Sequence, residues 1–120
     1  MRLSYLFLII AFILLQCTTS IDEDQPDNSE LSAPSYVTVI KDSSSNDLII
    51  DWEKTENGAT YEILRVVGDT GTIIENSQTA MTTFFDSAYP VNVDIQYQVR
   101  SIVGGSQSEF SPRSAIVNVP

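Results

Sequence analysis

At 120 residues the chain has room for one domain and one hydrophobic core, which a domain of this size can close without metals or disulfides. Its 16 acidic residues outnumber 6 basic ones, a net charge of −10, and no basic cluster is present to displace counterions from a phosphate backbone, which excludes nucleic acid as a partner. Histidine is absent, which removes the usual neutral-pH general base and the commonest imidazole metal ligand, and a single cysteine cannot close an internal disulfide.

The chain begins with a short positive start, Met1 and Arg2, followed by 13 almost uniformly apolar residues at 3–15 (LSYLFLIIAFILL). As a helix this run spans ~20 Å, against ~30 Å for a bilayer hydrocarbon core, so it fits the apolar region of a signal peptide better than a transmembrane span. The sole cysteine follows at once, in Leu14-Leu15-Gln16-Cys17. This stretch resembles a lipobox, the motif at which bacterial lipoproteins are acylated on cysteine and cleaved just before it, with Gln16 where Gly, Ala or Ser is usual. The other reading is an ordinary signal peptide or uncleaved anchor with an incidental cysteine; the position of Cys17, at the end of the apolar run, favours the lipobox. The resemblance implies more than one acyl chain on Cys17, and at ~0.8 kcal/mol per buried methylene such chains hold a protein stably at a membrane. The chain is thus expected to be anchored, with residues 1–16 as lipoprotein signal peptide.

Residues 17–33 are expected to form a disordered acidic tether, because the stretch is polar, acidic, poor in aromatics and broken by Pro26, and cannot build a core. Fully extended, it reaches at most ~55 to 60 Å. The run Asp22-Glu23-Asp24 resembles the signal by which some Gram-negative bacteria export lipoproteins to the outer leaflet of the outer membrane; a merely solubilising charge run is the alternative. An EF-hand fails, because Pro26 stands at the fifth position and Asp27 where glycine is required.

Beyond the tether the pattern changes to short, β-branched, alternating segments separated by turn residues, which predicts an all-β sandwich without helices. Seven strands are expected, at 35–41, 47–53, 60–67, 71–75, 80–85, 93–102 and 113–119, with turn chemistry at Asn57-Gly58, Gly68-Asp69 and Gly104-Gly105. Period-two alternation turns Leu48, Ile50 and Trp52 toward the core, with Tyr61 and Ile63 from the third strand and Ile95, Tyr97 and Val99 from the sixth. In the last strand Ala115, Val117 and Val119 alternate with Ser114, Ile116 and Asn118.

The order of Leu48-x-Ile50-x-Trp52, Tyr61-Glu62-Ile63, Thr83-Phe84-Phe85-Asp86, the stretch 93–101 and Ser111-Pro112 resembles a fibronectin type III domain over residues 34–120. The resemblance implies a seven-stranded immunoglobulin-like sandwich with Trp52 as central core tryptophan and Tyr61, Ile63, Tyr97 and Val99 as its neighbours. Two positions depart from the family: Tyr89 replaces a leucine, and Ile95 takes the place of the tyrosine-corner residue, so the corner hydroxyl that bonds back to the backbone is expected to be missing.

Catalysis would have to rest on a Ser-Lys pair or on carboxylates such as Asp51, Glu53 and Glu62, and a solvated acidic face is the simpler reading. No enzyme activity, cofactor or metal is expected. The resemblance implies contact loops at 54–59 (KTENGA) and 103–109 (VGGSQSE), while Tyr36, Phe85 and Phe110 either form a small apolar or carbohydrate-contact patch or finish the core rims. Asp86-Ser87-Ala88 resembles a short O-glycosylation sequence of secreted Gram-negative proteins, which would modify Ser87; in the alternative, Asp86 accepts turn hydrogen bonds and Ser87 is bare. Three functional readings follow: a protein-binding or adhesive module on a lipid anchor in the outer membrane, a structural spacer or subunit of an envelope complex, or an accessory carbohydrate-binding lipoprotein.

Overall fold

The computed structural model describes residues 30–74 and 78–120; Cys17, the apolar segment, Asp22-Glu23-Asp24 and Glu75 lie outside the described residues. Eight strands are present: β1 (Val37–Lys41), β2 (Leu48–Trp52), β3 (Thr60–Val67), β4 (Thr70–Ile73), β5 (Thr83–Asp86), β6 (Asp94–Val103), β7 (Ser106–Gln107) and β8 (Val117–Asn118). They form two antiparallel sheets, β1-β2-β5 and β4-β3-β6-β7, with β8 also paired to β6, and no helix occurs among the described residues.

The alternation that the sequence displays decides which residues meet between the sheets. Leu48, Ile50 and Trp52 of β2 face Tyr61 and Ile63 of β3 and Ile95, Tyr97 and Val99 of β6, all buried in one cluster. Trp52 is 3 % exposed and meets Tyr61 edge to face, with ring centroids 5.5 Å apart at 61°. Such a pair adds a geometric preference to the area it buries.

Two expectations are corrected. The strand expected at 80–85 starts only at Thr83, because Thr79 still exchanges backbone hydrogen bonds with Tyr61 of β3, at 2.8 and 3.1 Å, whereas the Thr82 carbonyl already accepts from Trp52 N of β2. Residues 80–82 therefore carry the chain from one sheet to the other. The strand expected at 113–119 shrinks to Val117–Asn118, and Ala115 is exposed, not inward.

Ahead of the shortened strand, Ser108, Ser111 and Ser114 run beside β6 at three-residue spacing. Each donates its backbone N–H to a β6 carbonyl (Ser101, Val99 and Tyr97, at 2.8–2.9 Å). Each accepts the N–H of that same β6 residue on its hydroxyl at 2.9 Å. A hydroxyl thus replaces the carbonyl of a regular ladder, and Pro112, which lacks an N–H, could not have joined one.

Ile95, at the corner position, is fully buried, and Tyr89 donates its hydroxyl to the Asn46 carbonyl at 2.6 Å, which joins the 87–92 connection to the β1–β2 turn. Ahead of β1 the Ser32 carbonyl accepts the Ser101 hydroxyl at 2.7 Å, and Pro34 is buried.

Candidate binding sites at the two ends of the sandwich

Period two places Arg65 of β3 and Asp86 of β5 inward on opposite sheets, and there they meet. Arg65 Nη1 lies 2.7 Å from Asp86 Oδ2, and the Tyr97 hydroxyl donates to the same oxygen at 2.7 Å. Asp86 is 2 % exposed, so its charge is held by these donors and by the Ala88 amide, 3.1 Å from Oδ1. Burial pushes the Tyr97 phenol far above its ordinary value, and the hydrogen bond and charge of Asp86 push it the same way. A phenol held this firmly as a donor serves as a clamp between sheets, not as an acid or base.

The carboxylates weighed for catalysis are not brought together. Asp51 and Glu53 lie on the outer face of β2, where Asp51 accepts the Thr83 hydroxyl. Glu62 lies on the outer face of the other sheet, paired with Arg100, whose guanidinium stacks 4.6 Å from the centroid of the Phe110 ring. Hydrogen bonds from the Ser35 side chain and then its backbone lower the pKa of Glu53, the opposite of what a general acid needs.

Of the three aromatics considered for a surface patch, Phe110 lies half-buried beneath Arg100, while Tyr36 and Phe85 are 51 % and 55 % exposed. Phe85 pairs across the sheet with Ile49, and Ile49 with Ile40, so an apolar row crosses the outer face of β1-β2-β5.

The expected contact loops sit at one end of the sandwich. In 54–59 the Thr55 amide donates to the Tyr61 hydroxyl at 3.0 Å, which pins the loop to the core. The 103–109 segment is a tight hairpin: Val103 pairs with Ser106 across Gly104 and Gly105, whose φ of 56° and 83° suits a two-residue turn that only glycine makes without strain. The docked Ser32 belongs to this same end, through Ser101 of β6. The opposite end, where Asp94 of β6 pairs with Asn118, lies seven residues along the strand, or ~23 Å away.

At that opposite end a cleft of about 320 Å³ opens between the β1–β2 turn, the 87–92 connection and the last residues of the chain. Lys41, Asn46 and Ser87 supply its polar lining, and Tyr89, Val91, Val119 and Pro120 the apolar part. Ser87 is exposed on its rim, and the Ala88 amide bond to Asp86 is the turn contact weighed against modification of Ser87. The cleft was not visible in the sequence, because its walls come from three segments well separated along the chain, at 41–46, 87–91 and 119–120.

No family model matches the sequence, and no curated protein matches it. Among solved structures the chain is similar to an Fn3-like protein from Clostridium thermocellum, at 24 % identity and a TM-score of 0.57, over 74 % of this chain and 96 % of that one. It is similar to an FN3tt mutant at 17 % identity and 0.60, over 72 % and 93 %. It is similar also to the twitchin kinase region from C. elegans at 16 % identity and 0.61, over 76 % and 17 %. The fold is therefore a fibronectin type III-like β-sandwich.

Proposed function

We propose that the chain is a lipid-anchored module of the bacterial outer membrane. In this reading Cys17 carries the acyl chains, the acidic segment after it forms the tether, and the sandwich contacts a protein or glycan. The observation that supports an outward-facing contact surface is the docking of Ser32 against Ser101. It brings the tether in beside the 54–59 and 103–109 loops and leaves the cleft at the far end, so the far end, not those loops, is the contact surface. The cleft also favours a binding role over that of a bare spacer. No catalytic step is assigned, because Glu62 stands on the opposite outer face from Asp51 and Glu53.

Detergent phase partitioning tests the anchor. Wild-type chain from native envelopes should enter the detergent phase, and Cys17→Ala should lose its acylation and the cleavage that depends on it. Wild-type protein found wholly in the aqueous phase would overturn the reading.

A further inference from the structure

We propose that the cleft at the tether-distal end is a binding site for one sugar ring of a neutral glycan. The proposal rests on the far end being the contact surface and names the ligand class for it.

Two of the polar side chains of the cleft are unused by the protein and a third is only partly used. The Asn46 amide and the Ser87 hydroxyl make no hydrogen bond among the described residues, although the Asn46 carbonyl is taken by Tyr89. Lys41 donates to the carbonyls of Asp42 and Ser45 at 3.2 and 2.9 Å, which leaves one ammonium proton for a ligand. Amide, hydroxyl and ammonium together offer donors and acceptors to a ring of hydroxyl groups. Against them stand Tyr89, Val91, Val119 and Pro120, an apolar wall for the C–H face of a pyranose.

Charge narrows the class. In a chain with 16 acidic residues none of the cleft-lining side chains is a carboxylate, while Lys41 brings an ammonium, so a cationic ligand meets like charge and no side-chain counter-charge there. A dianion such as phosphate would meet one ammonium already clamped by two carbonyls, with the Asp42 carboxylate close by in sequence and held charged by Ser44 and Ser45. A neutral polyol with one apolar face meets neither obstacle. The volume, about 320 Å³, falls at the small end of the ~300–1,000 Å³ range of ligand pockets and suits one ring of a longer chain that leaves through the open side.

The walls are also held in place before any ligand arrives. Tyr89 fixes the 87–92 connection to the β1–β2 turn, and the Asn92 amide donates to the Val119 carbonyl at 2.6 Å from a left-handed residue with φ of 59°. Preorganisation of this kind lowers the entropic cost of binding.

The test uses the full chain in detergent micelles and ligand-observed NMR saturation transfer with the methyl glycosides of glucose, galactose, mannose and N-acetylglucosamine, each alone. At least one should give a saturation-transfer signal. The double variant Asn46→Ala/Ser87→Ala should weaken that binding by about tenfold or more, since it removes two hydrogen-bonding groups. Both positions are exposed, so its melting temperature should match wild type. Absence of signal with all four glycosides overturns the proposal, as does binding that the double variant leaves unchanged, or a signal confined to methyl glucuronide run as a fifth, anionic probe. Cys17→Ala should bind the same glycoside equally well, so a failure of the anchor and a failure of the cleft are separate results.

Discussion

Replacing Asp86 by alanine should be among the most damaging single changes in the domain. The carboxylate is the shared acceptor of Arg65 and Tyr97, and it joins β5 of one sheet to β3 and β6 of the other. Its loss strands a guanidinium whose side chain is only 20 % exposed and leaves a buried phenol without an acceptor. Removing one member of a buried ion pair costs ~3–5 kcal/mol, and an orphaned buried donor ~1–3 kcal/mol, though the two overlap and Arg65 can turn partly to water. A net loss of about 3–4 kcal/mol is expected, a large share of the ~5–15 kcal/mol that holds a typical domain together. The chain has one tryptophan, and Trp52 is buried, so urea unfolding followed by its fluorescence reports the core directly. Tyr97→Phe, which removes one donor and leaves the ion pair intact, should cost only ~1–1.5 kcal/mol. If Asp86→Ala lowers stability by less than about 1 kcal/mol, the clamp between the sheets is not what holds this end closed.

Trp52→Ala should cost ~3–5 kcal/mol and leave the domain mostly unfolded, read by circular dichroism; an unchanged melting temperature would place the indole outside the core. Ser111→Ala removes the hydroxyl that accepts Val99 N–H, so a buried amide loses its partner and ~1–3 kcal/mol should be lost in urea titration, whereas an exposed serine would show no effect. Because the folded state raises the pKa of Tyr97 above its ordinary value of 10.0, folded protein binds more protons than unfolded protein in alkali. That contribution is fully present below pH ~10 and falls as pH climbs beyond it, a slope that Tyr97→Phe should flatten. Intact mass of natively purified chain should equal that of the lipidated polypeptide; a glycan-sized increment that disappears in Ser87→Ala would mean that the cleft is occupied covalently.

The sheets were legible because their residues alternate. Leu48, Ile50 and Trp52, and again Ile95, Tyr97 and Val99, carry the period of a strand with one buried face, and each falls in the core. The same rule, carried two residues past Ile63, points Arg65 inward, and carried along β5 it does the same for Asp86; opposite charges on facing inward positions are the signal that could have revealed the clamp. The stretch 108–114 resisted reading because most of it falls between the strands expected at 93–102 and 113–119, and a hydroxyl that substitutes for a carbonyl leaves no hydrophobic trace. Tyr89 departs from the family's leucine, and nothing in its sequence neighbourhood points to the Asn46 carbonyl, 43 residues earlier, that its hydroxyl reaches. The cleft was the least accessible feature, since Lys41, Ser87 and Val119 become neighbours only after both sheets have formed.

The proposed anchoring of this sandwich to a membrane through Cys17 is tested by metabolic labelling with a clickable fatty acid. Wild-type chain should take up the label and, after signal cleavage, begin at a modified Cys17, while Cys17→Ala should remain unlabelled and retain residues 1–16. Equal labelling of the two chains, or an unmodified Cys17 in mature protein, would contradict the account.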